Sequence, residues 1–431
     1  MQRRFITGLC CLTLSGLLFP ITELRAADPP PSAKAQLGQL IFNDPALSAS
    51  GRQSCASCHS PADAFSQPGS RAAPLGGLRG DLQGPRNTPT AMYAQYIPGF
   101  SLNGAIAAPG QIAVTGKAVG GFLMDGRAST LAAQAQLPFI TVFEMGNANS
   151  TAVLNRLKQR PYVTQLAALY GAATLNGGDA TLAALGDAIA AFESQTPQLK
   201  PFTSKYDAVI AGKASFTPAE ADGLAIFNNA SRGNCAACHS SQPSQGVPAL
   251  FTDHAYRNLG VPRNWDISYN NDTTILPAFI PANGLALGAP NHQYYDMGLC
   301  GPFRTDLSGL TSLCGQFKTP TLRNAALKHA YYHNGVFKDL RTVVGFYATR
   351  TANPSRWYRR ADGSADIVFN DLPTQYRANV VTTIRPFTPA GTATPSLTPA
   401  DVQNLVSFLC TLTDGFDPSN PAAFVPPAQC R

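Results

Sequence analysis

Two short cysteine–histidine motifs constrain this chain more than any other feature of its sequence. Residues 55–59 read Cys-Ala-Ser-Cys-His and residues 235–239 read Cys-Ala-Ala-Cys-His, a pattern typical of covalent c-type haem attachment. A zinc site would need a further Cys or His pair nearby, and a thioredoxin-like motif does not need the trailing histidine. The sequence therefore predicts two covalently attached c-type haems. The predicted attachment residues are Cys55, Cys58, Cys235 and Cys238, and the predicted iron ligands are His59 and His239.

The N-terminus reads as a secretory signal peptide over residues 1–26. Two arginines precede an apolar run at 5–19, and a small-residue cleavage site ends at Ala26. That run is too short for a membrane anchor, and no later segment is apolar enough to span a bilayer. We therefore expect a periplasmic protein, exported across the inner membrane and without a membrane span.

Four cysteines lie outside both the signal peptide and the haem motifs. An even number of cysteines in an exported protein favours disulfides, and the short spacings favour Cys300–Cys314 and Cys410–Cys430. The second bridge would hold the proline-rich C-terminal tail. Free buried thiols are the alternative.

The net charge of +7 does not indicate a nucleic-acid partner, because lysines and arginines are scattered and form no basic helix. Charged residues make up 13% of the chain, against about 25% in typical domains, while Gly and Pro number 37 and 35. Such a composition suits a loop-rich protein whose core is partly cofactor.

Helical spacing of apolar residues recurs near both motifs, and alternation typical of strands is rare. Helices are expected at 35–42, 130–137 and 182–192, after the capping box Thr217–Glu220, and at 398–413. The expected fold is mainly α, with two cytochrome-c-like haem domains and long irregular loops. The domains are expected at 27–200 and 201–431, with a linker near 196–216.

The ligands on the other face of each iron decide the chemistry. Between the two haem motifs there is no histidine, and the methionines there are Met92, Met124 and Met145. An open sixth position on the first haem would allow peroxide to bind. The alternative is that one of these methionines closes the site and makes it an electron-transfer haem.

Further segments in matching order resemble the bacterial di-haem cytochrome c peroxidase and MauG family over essentially the whole mature length. They comprise residues 37–42, Arg-Asn-Thr-Pro-Thr at 86–90, Asp-Gly-Arg-Ala at 125–128, Glu-Met-Gly at 144–146, residues 317–324 and His-Asn-Gly at 333–335. By this resemblance the first domain, 27–200, carries the peroxidatic haem, and the second, 201–431, carries the electron-transfer haem.

The resemblance also assigns roles to single residues. Glu144 matches the family's distal acid/base, and Gln134 would order the oxygen ligand. In the cytochrome c peroxidases a methionine completes the second haem, whereas the matching residue here is Tyr347, as in MauG. A phenolate favours oxidised iron, so a His/Tyr haem would share more readily in a high-valent state. An ordinary packed aromatic is the alternative for Tyr347.

Two departures and a metal site complete the comparison with the family. The usual tryptophan before Asp-Gly-Arg is Met124 here, which puts strong hole transfer between the haems in doubt. The loop 61–86 lacks the histidine that blocks the peroxidatic haem of resting cytochrome c peroxidases, and offers Arg79 and Arg86 instead. The family pattern also implies a calcium ion held by Asn87 and the backbone carbonyls of Lys328 and Ala330.

The resemblance thus implies a MauG-like di-haem peroxidase. Hydrogen peroxide would form a high-valent haem state, which then oxidises a partner protein or electron donor. One alternative is a cytochrome c peroxidase that detoxifies peroxide with a small redox protein as donor. Another is a non-catalytic di-haem electron carrier.

Overall fold

The protein's structure is a computed structural model, and it describes residues 29–104, 114–271, 294–387, 392 and 394–431. The expected signal peptide at 1–26 lies outside the described residues. By Cα packing, Pro31–Arg431 form one compact unit. No helix within the described ranges is both long and apolar enough to cross a membrane.

Helices dominate the regular structure, as the sequence predicted, and the sheets are small. The helices are α1 (Ala33–Phe42), α2 (Cys55–Cys58), α3 (Leu131–Ile140), α4 (Ser150–Leu157), α5 (Val163–Tyr170), α6 (Gly178–Gln195), α7 (Lys205–Ile210), α8 (Pro218–Asn228), α9 (Ser268–Asn271), α10 (Leu340–Thr349), α11 (Pro354–Trp357) and α12 (Pro399–Cys410). Strands β1 (Leu75–Gly76) and β2 (Leu82–Gln83) form one antiparallel pair, and β3 (Tyr256–Arg257) and β4 (Phe317–Lys318) form another.

Local capping signals account for the helices that the sequence located best. The Thr217 side chain accepts from the backbone of Glu220, whose carboxylate accepts from Thr217 in return, so the predicted capping box opens α8. Thr398 and Asp401 form the same arrangement before α12, which ends at Cys410 rather than at 413. Helices α4, α5 and α10 were not predicted.

Each haem motif lies beside its own hydrophobic core. The first core draws mainly on residues before 203, among them Phe42 and Ile189. The second core begins at Tyr206 and includes Phe227 and Phe408. The division between the cores falls close to the expected domain boundary, and the boundary itself stays a prediction.

A matching helix pair supports each core. Helix α1 packs on α6, and α8 packs on α12. A Cβ added to Gly38 would lie 1.9 Å from the Ala188 carbonyl oxygen, and one added to Gly223 would lie 2.0 Å from that of Asn404. Only glycine permits so close an approach. The same contact in both halves therefore indicates an internal duplication.

The segment expected to be a linker, 196–216, is well packed. It contains α7, in which Tyr206 joins the second core. The Asp207 carboxylate forms an ion pair with the fully buried Arg323 at 2.8 Å. The segment thus fastens to the second half instead of joining two loosely connected units.

Both expected disulfides are confirmed. Cys300 is bonded to Cys314 and Cys410 to Cys430, across sequence separations of 14 and 20 residues. The second bridge joins the last residue of α12 to the C-terminal tail.

Candidate active site

The two Cys-x-x-Cys-His motifs adopt the same local structure. The backbone N–H of His59 donates to the Cys55 carbonyl at 2.9 Å, and that of His239 donates to the Cys235 carbonyl at 2.8 Å. The Nδ1–H of His59 donates to the Phe65 carbonyl at 2.9 Å. A bond of 2.8 Å joins His239 Nδ1–H to the Phe251 carbonyl in the same way. Because Nδ1 carries the proton, each ring has its Nε2 lone pair available for a metal.

One continuous and mainly apolar cavity is lined by both motifs. Its four motif cysteines are not disulfide-bonded, and burial raises the pKa of Cys58 and Cys235 to about 12. Neutral thiols beside oriented imidazoles in an apolar cavity suit covalent haem attachment better than a zinc thiolate site. Among the described residues, no group of three or more His, Cys, Asp or Glu side chains is arranged to hold a metal ion. The residues present fit two haems.

Glu144 and Gln134 line the same cavity as the first motif. The backbone N–H of Glu144 donates to the Thr141 carbonyl at 3.0 Å, and its own carbonyl accepts from Gly77 at 2.7 Å. At Gly76 a Cβ would lie only 2.2 Å from the Phe143 carbonyl oxygen, so strand β1 holds this turn closely. Burial raises the pKa of Glu144 to about 7, and Arg127 opposes the shift.

A buried ion network holds Arg127. Asp125 is inaccessible to solvent, and its carboxylate accepts from Arg127 and Arg86 at 2.7 Å each. Arg86 also donates to both carboxylate oxygens of Asp296, so the network binds distant parts of the chain together. Arg86 and Arg79, named from the loop 61–86, are therefore engaged elsewhere: Arg86 in this network and Arg79 in an exposed pair with Asp81.

Tyr347 lines the cavity beside the second motif. Its ring stacks on that of Phe387, with centroids 5.4 Å apart. The Arg350 guanidinium lies 3.5 Å from the centroid of the Phe387 ring. Arg350 donates to two backbone carbonyls at 2.6 Å and forms no ion pair with any carboxylate of the described residues. Burial raises the pKa of Tyr347, and the neighbouring Tyr332 hydroxyl and the charge of Arg257 oppose this shift.

The internal duplication compares the two sides directly. Phe122 bridges to Ala128 shortly before α3, and Tyr331 bridges to Phe337 at the same distance before α10. Counted from the first residue of each helix, Pro138 in α3 occupies the eighth position, as Tyr347 does in α10. Proline has no side-chain donor atom for iron. The position that offers a phenolic oxygen on one side is therefore without a ligand on the other.

The three methionines named from the sequence all line the cavity, so the alternative of methionine ligation stays open. Met92 already accepts a hydrogen bond at its sulfur from the Asn324 amide at 3.3 Å. Met145 is buried, and its backbone N–H donates to the Pro138 carbonyl. Met124 lines the cavity as well, and its backbone carbonyl accepts from the backbone N–H of Lys318 at 3.0 Å.

Among the ionisable groups of this cavity that the sequence did not reveal are three with strongly shifted pKa values. Glu193 in α6 is 7% exposed, and burial raises its pKa to about 8. Gly38 contacts Ala188 of α6 and Gly223 contacts Asn404 of α12; five residues beyond these contacts lie Glu193 and Leu409, which therefore occupy matching positions. The sequence did contain a signal for this buried carboxyl: Glu193 continues the apolar helical spacing of Leu182 and Ile189. The other two are Lys318, whose pKa burial lowers to about 7, and His254, whose Nε2 is buried without a partner.

The residues proposed for calcium are only partly brought together. One end of the Asn87 side-chain amide lies 3.3 Å from the Ala330 carbonyl oxygen and 3.2 Å from that of Thr88. The Lys328 carbonyl accepts from Tyr331 and Gln429 instead. The Lys328 ammonium group donates to the Thr88 carbonyl at 3.1 Å. The Asn87 amide thus lies beside the carbonyls of Thr88 and Ala330, and the carbonyl of Lys328 does not join them.

Comparisons with known proteins agree on one family. The sequence model described as di-haem cytochrome c peroxidase matches residues 32–215. The methylamine utilization protein MauG of Paracoccus denitrificans is 37% identical over 351 residues, which are 80% of this chain and 82% of that protein. The cytochrome c551 peroxidase of Nitrosomonas europaea is 26% identical over 75% of each chain. The crystal structure of the dihaem peroxidase BthA from Burkholderia thailandensis superimposes with a TM-score of 0.76 and 35% identity, covering 90% of this chain and 88% of that one.

Proposed function

We propose that this chain uses hydrogen peroxide to oxidise a partner protein in the periplasm. It belongs to the di-haem cytochrome c peroxidase and MauG family and is a haem-dependent oxidoreductase. The observation that carries the proposal is the asymmetry of the cavity. Pro138 and the carboxyl of Glu144 lie on the side of the first motif, whereas Tyr347 occupies the matching helix position on the other side.

The motif residues would hold the cofactors. The thiols of Cys55 and Cys58 would attach the first haem, those of Cys235 and Cys238 the second, and Nε2 of His59 and of His239 would bind the irons. When bound, the haems supply the electrons that reduce peroxide and carry the resulting oxidising equivalents in a high-valent state. The carbonyls of Phe65 and Phe251 keep the two imidazoles in the required tautomer.

Glu144 would move the proton during peroxide cleavage. Its carboxylate would take a proton from one oxygen of peroxide and return it to the departing oxygen, which would favour heterolytic cleavage of the O–O bond. A pKa of about 7 suits a group that must both accept and release a proton near neutral pH. The Gln134 amide, on the same cavity wall, would orient the oxygen ligand.

Tyr347 would bind the second iron as a phenolate. Burial alone opposes the charged form, so cations must compensate for it. Arg350, which lacks a carboxylate partner among the described residues, and Arg257 both interact electrostatically with the Tyr347 oxygen. An anionic ligand favours oxidised iron, as is useful in a haem that passes oxidising equivalents to a partner.

Export to the periplasm fits the predicted signal peptide and the two disulfides. The haem domains are proposed at 27–200 and 201–431. A calcium ion among the oxygens of Asn87, Thr88 and Ala330 is a secondary part of the proposal, because the Lys328 ammonium group competes for one of them, the Thr88 carbonyl.

Steady-state kinetics with a reduced small c-type cytochrome as donor tests the proposal against its rivals. We expect the haem-loaded protein to react with one equivalent of peroxide within seconds and then to oxidise the small donor slowly. Fast, sustained turnover with that donor would favour peroxide detoxification instead. Haem spectra that ignore peroxide altogether would identify a non-catalytic electron carrier.

A further inference from the structure

A tyrosine with no assigned role lies next to the proposed second axial ligand. We propose that Tyr332 is a positioning residue whose hydroxyl donates a hydrogen bond to the phenolic oxygen of Tyr347 and thereby sets the strength of its bond to iron. This inference rests on the assignment of Tyr347 under the proposed function.

The geometry places the two phenols side by side. Both line the cavity, with ring centroids 6.3 Å apart and ring planes inclined by 37°. The Tyr332 oxygen is shut off from solvent and meets no partner by strict hydrogen-bond geometry. The ring of Tyr347 is tilted towards it, so the phenolic oxygen of Tyr347 is an acceptor that this buried hydroxyl could reach by a small rotation. A phenolate ligand has no proton to donate, so Tyr332 would be the donor and Tyr347 the acceptor.

The internal duplication shows that the fold itself does not require this hydroxyl. Tyr332 has the left-handed backbone conformation, with φ of 64°, and so does Leu123 at the matching position of the first half. The shared turn therefore accounts for the left-handed backbone at both positions. In the first half, where the matching helix position is Pro138, leucine is enough to form that turn. A hydroxyl is present only on the side where Tyr347 offers an oxygen.

Elementary energetics favour pairing of the two groups. A buried hydroxyl without an acceptor is unfavourable, and a phenolate is a stronger acceptor than any neutral oxygen. Donation to the phenolate withdraws electron density from the oxygen and weakens its bond to ferric iron. Tyr332 should therefore raise the reduction potential of the haem on His239 above that of an unassisted His/Tyr haem.

The variant Tyr332→Phe tests this in the haem-loaded protein. We expect the ferric-to-ferrous ratio at a fixed potential to rise about tenfold, which corresponds to a potential about 59 mV lower. The iron–phenolate stretch in resonance Raman spectra should move to higher frequency, and its shift on transfer to D2O should disappear. Folding should be preserved, because the Tyr332 hydroxyl forms no hydrogen bond to any other described residue.

Tyr206→Phe is the matched control, since it removes a buried hydroxyl of the same core that donates to the Ser241 carbonyl. Tyr347→Phe separates the two levels of the argument. If that variant changes the low-spin spectrum while Tyr332→Phe behaves like the control, the inference is wrong and the ligand assignment stands. If Tyr347→Phe leaves the low-spin spectrum unchanged, or if only Tyr332→Phe abolishes it, the assignment of Tyr347 fails and the inference with it.

Discussion

Replacing Glu193 by leucine should stabilise the protein, and the gain should depend on pH. Glu193 is buried in the cavity wall and makes no hydrogen bond to the described part of the chain. Leu409 shows that leucine fits the equivalent position in the second half, where it is 6% exposed. The substitution therefore exchanges a buried carboxyl for a side chain that the architecture already accommodates.

The magnitude follows from proton linkage. Burial raises the pKa of Glu193 from 4.5 to about 8. The folded state thus retains a proton that the unfolded chain releases, and stability falls as pH rises from about 4.5 to about 8. The cost is about 3 kcal/mol at pH 7 and about 1 kcal/mol at pH 5. Glu193→Leu should recover that cost, so its advantage at pH 7 should exceed its advantage at pH 5 by about 2 kcal/mol.

Guanidinium unfolding of the haem-loaded protein, followed by far-ultraviolet circular dichroism at both pH values, measures this difference. Glu193→Gln serves as the control, because it removes the titration but keeps a polar group in the cavity. The difference in unfolding free energy between Glu193→Gln and wild type should change with pH by the same amount, although Glu193→Gln should be less stable than Glu193→Leu at both pH values. An advantage of Glu193→Leu that is equal at pH 5 and pH 7 would refute the claim that this carboxyl is protonated in the folded state.

Two further outcomes are expected. The rate of peroxide consumption should rise with pH through a midpoint near 7, because Glu144 acts as a base only when deprotonated. Glu144→Gln should lower this rate by about 10²–10⁴-fold and flatten the pH profile, at unchanged haem content. A variant that keeps the wild-type profile would remove Glu144 from the mechanism. Replacing both Cys410 and Cys430 by serine should lower the free energy of unfolding by about 3 kcal/mol, because the bridge closes a loop of about 20 residues. Chemical denaturation measures this change, and an unchanged denaturation midpoint would contradict the prediction.

Local patterns made the motifs, caps and disulfides predictable. A haem motif places its thiols and imidazole within five residues, and the capping box of Thr217 and Glu220 spans four, so neither depends on the rest of the fold. The disulfide pairs followed from an even number of cysteines at short spacing. Helix α10 was not predicted, although Asp339 caps it and its buried residues Leu340 and Val344 have helical spacing.

The rest of the site depends on contacts between distant parts of the chain. Arg86 meets Asp296 across 210 positions, which no local pattern reveals. The approach of Tyr332 to Tyr347 depends on how the turn before α10 folds back on that helix. The correspondence of Pro138 with Tyr347 follows from the two bridged turns, which form only in the folded chain. Sequence spacing alone therefore predicts one histidine ligand for each iron, whereas the residues that face the opposite sides depend on tertiary packing.

Electron paramagnetic resonance of the ferric, haem-loaded protein before and after peroxide tests the central claim most directly. The asymmetry of Pro138 and Tyr347 predicts one high-spin signal, from the haem on His59, and one low-spin signal, from the haem on His239. One equivalent of peroxide should diminish both signals together. Two low-spin signals that persist after peroxide would show that both irons are closed by protein ligands, and would contradict the account.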